Sequence, residues 1–209
     1  MPISLCNVIY KVISKVLAGR LKLILPEIIS PNQSAFVPGS LITDNVLVAY
    51  ESYHTIKKKR TGKNGLCAIK LDMMKAYDRV EWHFLEAILL KLGFNANLVR
   101  LIMKCVTSVR FAVRVNGELL PYFSPSRGLW QGCPISPYLF LLCAEGFSSL
   151  LKNYGNYVDR GIRVNFRAPW VNHLLFVDNS LIFIKANMES ATRVNQILEI
   201  YDDASGQCV

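Results

Sequence analysis

The stretch HLLFVDNSLIFI, residues 173–184, decides the fold, because two almost wholly apolar arms flank the polar pair Asp178-Asn179. Short apolar runs separated by turn-forming residues predict a β-hairpin with this pair at its tip. A second short run, LCAIKLD at 66–72, predicts a buried strand that ends in Asp72. If the strands are neighbours, the aspartates of both emerge at one edge of a largely antiparallel sheet.

Helices account for most of the remaining sequence. Apolar residues recur at helical spacing in 7–25, 44–59, 81–92, 95–108, 136–154 and 188–204. Pro26 is expected to end the first helix, and Asp44 to cap the second. The pair Asn116-Gly117 predicts a further hairpin turn. This order predicts an α+β domain with helices on one face of an antiparallel sheet.

Composition narrows the class of protein. The chain has 209 residues, of which 52% are hydrophobic and 19% charged, so it can bury a core and is not disordered. The net charge of +9 favours a polyanionic partner and leaves nucleic acid and anionic membrane open. No apolar run approaches the roughly 18 residues of a membrane span. Six cysteines without a CxxC pair argue against a disulfide framework or zinc site and for an intracellular location, nuclear or cytoplasmic.

The aspartates permit two interpretations. A carboxylate on a rigid apolar frame is unfavourable unless a cation meets it, and Mg²⁺ suits such a pair. Two such ions would support phosphoryl or nucleotidyl transfer. Alternatively, Asp72 caps a loop and Asp178-Asn179 only forms a turn, and spacing alone favours this second interpretation.

Two more segments change the balance towards a nucleotide site. In GLWQGCPISP, residues 128–137, Gly132 allows close approach of a ligand and Gln131 offers a hydrogen bond to a base or template. Tyr77 follows Asp72 by five residues, where its ring would wall a sugar pocket. A two-metal nuclease or phosphatase built on the same acids would have no use for these segments.

Taken in order, the motifs resemble those of reverse transcriptases from non-LTR (LINE-type) retrotransposons, particularly plant ones, over essentially the whole chain. The matching motifs are PISLCN at 2–7, NQSAFVPG at 32–39, ITDN at 42–45, LDMMKAYD at 71–78, QGCPISP at 131–137 and FVDN at 176–179. The resemblance implies a right-hand polymerase fingers–palm core without a thumb, with 1–65 fingers-like and 66–209 palm-like. It also implies an RNA-directed DNA polymerase that uses an RNA template, a DNA primer, dNTPs and two Mg²⁺ ions.

The resemblance assigns a role to each matching position. Asp72 and Asp178 are similar to the catalytic metal ligands, and Asn179 stands at a further catalytic position. Tyr77 resembles the steric gate that excludes a 2′-hydroxyl. Gln131, Gly132 and Met73 resemble nucleotide-binding positions. Basic residues expected to contact the nucleic-acid backbone are Lys57, Lys58, Lys59, Arg60, Lys63, Arg110 and Arg114.

The chain departs from the family pattern in ways that predict impaired catalysis. Asn179 replaces the second of two adjacent acids, which removes one negative charge from the metal cluster. Trp130, expected at the pocket entrance, and Ser40 stand where relatives commonly carry arginine. Met1 falls inside the first motif and Val209 precedes the thumb, so a truncated, degenerate copy is expected. The alternative is a non-catalytic retroelement remnant that only binds nucleic acid.

Overall fold

The fold is α+β, as predicted. The computed structural model describes residues 7–59, 65–157 and 160–209. The helices are α1 Val8–Ile28, α2 Ile42–Lys58, α3 Ala76–Arg79, α4 Trp82–Lys91, α5 Ala96–Thr107, α6 Ser136–Tyr157 and α7 Met188–Ser205. The strands are β1 Leu66–Asp72, β2 Arg114–Val115, β3 Glu118–Leu119, β4 His173–Phe176 and β5 Asn179–Lys185. Within these residues, no helix has the length and apolar character needed to cross a membrane.

The main sheet has three antiparallel strands in the order β1-β5-β4. The first pair of β1 and β5 is Leu66 with Lys185, and the last is Asp72 with Asn179. In the β4–β5 hairpin, Phe176 also lies opposite Asn179. The central strand therefore begins at a residue that is paired on both sides. A separate two-stranded sheet, β2-β3, forms the Asn116-Gly117 hairpin that the sequence predicted.

Side chains alternate between the two faces of the main sheet, and each face has its own apolar cluster. Leu71 and Ile182 belong to the main core, together with residues of α1, α4, α5, α6 and α7. Leu174 and Phe183 belong to a second cluster on the opposite face, where side chains of α2 pack, including Ile56. The expectation that helices cover only one face was therefore wrong for α2.

Two predicted helix ends were displaced. Pro26 does not end α1, which continues to Ile28 and closes with a 2.8 Å bond from Ile29 N–H to the Leu25 carbonyl. A proline this close to the helix end removes one intrahelical bond, which the last turn tolerates. Asp44 is not the cap of α2 but a residue of its first turn, where its carboxylate accepts the Leu41 N–H at 2.9 Å.

Candidate functional site

Asp72 and Asp178 lie at the same end of the main sheet. Asp72 ends β1 directly opposite Asn179, the residue after Asp178. The next N–H along the chain, that of Met73, donates to the Asp178 carbonyl at 3.1 Å. The strands are thus neighbours, as the sequence predicted, and their pairing brings both acids to one edge. Asp72 is exposed and Asp178 is half-buried, so a ligand can approach them from solvent.

The backbone at the tip of the hairpin is strained. The sequence placed the turn at Asp178-Asn179, but it lies one residue earlier, at Val177-Asp178, with Asn179 already in β5. Val177 has φ 54°, a left-handed conformation that a β-branched residue rarely adopts and that costs on the order of 1–3 kcal/mol. The pairing of Asn179 with strands on both sides holds this turn in place and fixes the position of Asp178.

Asn179 interacts directly with the neighbouring acid. Its Nδ2 donates a hydrogen bond to Asp178 Oδ1 at 3.2 Å. The amide thereby uses one of the carboxylate oxygens that a cation would otherwise bind. An aspartate in its place would instead repel Asp178, and both acids would then favour a shared cation.

Tyr77 lies beside this pair. Its ring stacks on Phe140, with centroids 4.9 Å apart and planes 16° from parallel. Burial, and secondarily the negative charge of Asp178, raise the pKa of Tyr77 to about 12. The stacking on Phe140 fixes the orientation of the Tyr77 ring.

The turn after Asp72 is tied to residues 205–208, which sequence reasoning did not identify as part of the site. Met74 N–H donates to the Cys208 carbonyl at 2.8 Å, and Gln207 Nε2 donates to the Ala76 carbonyl at the same distance. The Gln207 side chain is buried, although nothing in the local sequence distinguishes it from a surface residue. These bonds fix the backbone between the first acid and Tyr77.

Gly128 and Leu129 form further backbone hydrogen bonds to the segment that follows Asp72. Leu129 N–H donates to the Tyr77 carbonyl at 2.7 Å, and Gly128 N–H to the Val80 carbonyl at 2.8 Å. Gly128 has φ 93°, and a Cβ there would lie 2.8 Å from the Asp78 carbonyl oxygen. Only glycine therefore permits this close approach.

The segment that follows contains Gln131 and Gly132. Gln131 is half-buried, and Gly132 is exposed with φ 93°. Trp130 was expected at the pocket entrance, but it is only 8% exposed and stacks on Phe111 with centroids 4.4 Å apart. The Tyr10 ring lies 6.2 Å away from it. That expectation was wrong because residues distant in sequence build an aromatic cluster around the indole.

The other predicted contact residues are spread over the molecule. Met73 has a buried side chain in the main core. Arg110 and Arg114 are exposed near the small β2-β3 sheet, and Lys57–Lys59 are exposed at the end of α2. Arg60 and Lys63 lie outside the described residues.

The donor set suits a divalent cation in chemical type. Asp72 and Asp178 supply carboxylate oxygens, which are the ligands that hard cations prefer. In the described part of the chain, no group of three or more histidine, cysteine or acidic side chains is placed to hold a metal ion. The site thus offers the carboxylates of Asp72 and Asp178 at one sheet edge, with the Asn179 amide bonded to the second of them.

A buried polar network supports β4. His173 Nδ1 lies 2.8 Å from Asn172 Oδ1 and Nε2 lies 2.9 Å from Ser148 Oγ. Because an amide oxygen can only accept, Nδ1 carries the proton and Nε2 accepts from the serine hydroxyl. Burial, and secondarily the charge of Lys152, lower the pKa of His173 to about 3. Both Ser148 and His173 are fully buried, so the pair supports the strand and cannot meet a substrate.

Asn45 connects α2 to the strand that leads to the hairpin tip. Its Nδ2 donates to the carbonyls of Asn32 and Leu175 at 3.0 and 2.9 Å. Leu175 N–H in turn donates to the Asn32 carbonyl at 2.8 Å. The loop before α2 is thereby fixed to β4 next to the residue that begins FVDN.

The fold agrees with the comparisons. The family described as "Reverse transcriptase (RNA-dependent DNA polymerase)" matches residues 1–206, and the chain belongs to this family. The resemblance to LINE-type reverse transcriptases is thereby confirmed at the level of the domain. Reverse transcriptases of this family use a divalent metal ion.

Retroelement proteins are among its relatives. The chain is 36% identical over 151 residues to the "Transposon TX1 uncharacterized 149 kDa protein" of Xenopus laevis, covering 72% of this chain and 11% of that protein. It is 26% identical over 152 residues to the "Retrovirus-related Pol polyprotein from type-1 retrotransposable element R2" of Popillia japonica, covering 68% of this chain and 20% of that protein. The chain thus spans a tenth to a fifth of the length of these relatives.

Solved telomerase structures share the fold. The telomerase of Candida tropicalis, in complex with a fragment of telomeric RNA, superposes with a TM-score of 0.61 at 12% identity, covering 90% of this chain and 31% of that one. The corresponding Candida albicans complex gives a TM-score of 0.58 at 14% identity, covering 90% and 32%. At these identities the likeness concerns the fold alone, and it confirms the predicted polymerase architecture.

Proposed function

We propose that the sheet end formed by Asp72 and Asp178 carries out RNA-directed DNA synthesis, extending the 3′-hydroxyl of a DNA primer with dNTPs on an RNA template. The observation that supports this most directly is the β1–β5 register, which places Asp72 opposite Asn179 and beside Asp178. Tyr77 stands next to the acids, and burial raises the pKa of its phenol to about 12. Neighbouring carboxylates that can share divalent cations support nucleotidyl transfer.

Each residue at the site has a proposed part. Asp72 and Asp178 would hold two Mg²⁺ ions, which when bound activate the primer oxygen and stabilise the leaving pyrophosphate. The Tyr77 ring, fixed by its stacking, would block a 2′-hydroxyl and so select deoxynucleotides. Gln131 and Gly132 would border the incoming nucleotide. Met73 would act through its backbone, since its side chain is buried.

The nucleic acid would extend over surfaces beyond the acids. We assign 1–65 to a fingers-like segment and 66–209 to a palm-like segment. The proposed contacts to the phosphate backbone are Lys57, Lys58, Lys59, Arg60, Lys63, Arg110 and Arg114. A net charge of +9 supports such contacts.

Primer extension on an RNA template with Mg²⁺ tests the proposal. The chain is compared with Asn179→Asp, and with Asp72→Asn as the inactive control. Restoring the second acid removes the amide from Asp178 and adds a charge, so we expect extension to rise roughly tenfold or more, about 1.4 kcal/mol of barrier. Asp72→Asn should abolish extension. If both the chain and Asn179→Asp are folded and neither extends a primer, the proposal fails.

Relatives commonly carry arginine at positions 40 and 130, and the structure indicates which of these two arginines can be introduced. Ser40 is exposed, so Ser40→Arg can restore a phosphate contact without disturbing packing. Trp130→Arg would instead place a cation in a buried aromatic cluster. The combined test is therefore Asn179→Asp with Ser40→Arg.

A second function is favoured by the hydrogen bond between Asn179 and Asp178. With one acid absent and another engaged by an amide, the chain would be a non-catalytic retroelement remnant that binds nucleic acid. This function predicts affinity that falls steeply with salt and shows little sequence preference. It also predicts that Asn179→Asp with Ser40→Arg binds RNA without extending a primer.

A further inference from the structure

The loop between α6 and β4 carries a cluster of cationic and aromatic side chains that none of the roles above uses. The Arg163 guanidinium carbon lies 5.2 Å from the ring centroid of Phe166 and 5.1 Å from that of Trp170. One cation thus holds both rings in place. Phe166 is nevertheless 83% exposed and Trp170 49% exposed, so much of each ring faces solvent.

The charge of this loop has one sign. From residue 160 to residue 177 the sequence contains Arg160, Arg163 and Arg167 and neither aspartate nor glutamate. The ion pairs found in the described ranges involve none of these arginines. The preceding acid, Asp159, lies outside the described residues. A surface of this charge attracts a polyanion.

The base of the loop is rigid. Ile162 and Val171 exchange two backbone hydrogen bonds of 2.8 Å. Gly161 has φ 82°, and a Cβ there would lie 2.1 Å from the Val171 carbonyl oxygen, so the close approach requires glycine. Ile162 is 1% exposed and belongs to the second apolar cluster together with Ile56 of α2. Since Ile56 directly precedes Lys57, the loop is anchored in the same cluster as the basic end of α2.

We propose that residues 160–170, the arginine–aromatic loop, bind single-stranded RNA. Bases would stack on the exposed faces of Trp170 and Phe166, and the three arginines would contact phosphates. Stacking tolerates any base, which suits a strand that must be read whatever its sequence. The assignment of this strand as the template rests on the proposed function, whereas the binding itself does not.

Tryptophan fluorescence tests the contact directly. Trp170 is the exposed tryptophan, whereas Trp130 is buried and Trp82 donates its Nε1–H to the Gly128 carbonyl at 2.9 Å. Adding single-stranded oligouridine to the chain should quench fluorescence saturably. In Trp170→Phe the quenching should disappear while affinity, followed by anisotropy of labelled RNA, stays within about twofold, because phenylalanine still stacks.

Further variants separate stacking from charge. Trp170→Ala should weaken RNA binding about tenfold, the usual order for losing one stacked base. Arg163→Gln should lower the slope of log Kd against log salt by about 0.7, as expected for one single-strand phosphate contact. The matched control is Arg100→Gln on α5, an exposed arginine that bonds to Asn97 three residues earlier, and it should change neither quantity. Circular dichroism confirms that each variant is folded.

Two results would overturn the proposal. One is RNA binding that neither quenches Trp170 nor weakens in Trp170→Ala. The other is self-association of the chain, measured by sedimentation, that Trp170→Ala abolishes while RNA affinity is unchanged, because the loop would then contact a second copy. The assays contain no dNTP or metal, so absence of primer extension leaves a positive binding result standing.

Discussion

The neutral, buried His173 predicts that the stability of the fold falls as pH is lowered from neutrality. The pKa of His173 in the folded chain is about 3, whereas an imidazole in an unfolded chain has its ordinary pKa near 6.5. Between pH 3 and pH 6.5, the unfolded chain therefore binds a proton at this histidine, whereas the folded chain does not. The free energy of unfolding is therefore fully retained above pH 6.5 and decreases as pH falls towards 3.

The magnitude follows from the distance below pH 6.5. At pH 5 the gap is about 1.5 pH units, and each unit corresponds to about 1.4 kcal/mol, so the folded state loses about 2 kcal/mol relative to pH 7. Glu145 acts in the opposite direction, because burial raises its pKa and the folded chain gains stability as that carboxyl is protonated. Its contribution is common to the chain and a His173 variant, so it cancels when the two are compared.

Urea unfolding at pH 7 and pH 5 measures the effect. The loss for the chain should exceed the loss for His173→Gln by about 2 kcal/mol. His54, an exposed histidine on α2, provides the matched control, and His54→Gln should lose as much as the unaltered chain. Equal losses in the chain and His173→Gln would refute the reasoning. If His173→Gln does not fold, an NMR titration of the unaltered chain replaces this comparison. A His173 ring that titrates near pH 6.5 would then refute the reasoning.

Two further predictions concern packing around the site. Trp130→Arg removes the stacking on Phe111 and buries a cation. The free energy of unfolding, measured in urea, should therefore fall by about 3–5 kcal/mol. A fall of less than about 1 kcal/mol would contradict the buried position of Trp130. Gly128→Ala brings a Cβ against the Asp78 carbonyl and should lower the melting temperature by roughly 4–8 °C, or about 2 kcal/mol. Gly117→Ala, at φ 91° with open space around it, is the control and should show the smaller effect.

The strands and acids of the site could be predicted because their signal is local. LCAIKLD and HLLFVDNSLIFI are contiguous apolar runs, and the polar residues that end them mark the sheet edge whatever surrounds them. The turn was displaced by one residue, since Asn179 satisfies pairing on two sides and the left-handed position falls on Val177. The position of the turn therefore depends on pairing with β1, which lies far away in sequence.

What the sequence could not reveal depends on contacts between distant segments. Trp130 lies in a loop-like stretch two residues after Gly128, and rings distant in sequence, Phe111 and Tyr10, pack around it. Gln207 looks like a surface side chain until its amide meets the Ala76 carbonyl. The roles of the site residues remain predictions, because they concern ligands and not the fold that holds them.

The pairing of β1 with β5 also sets an order of events during synthesis. Asp72 leaves the ribosome long before Asn179, and until β5 has emerged β1 has no partner and Asp72 lacks its neighbouring acid. Closing so long a loop is slow relative to forming the local helices. A nascent chain would thus expose the basic end of α2 before Asp72 and Asp178 are brought together at one sheet edge.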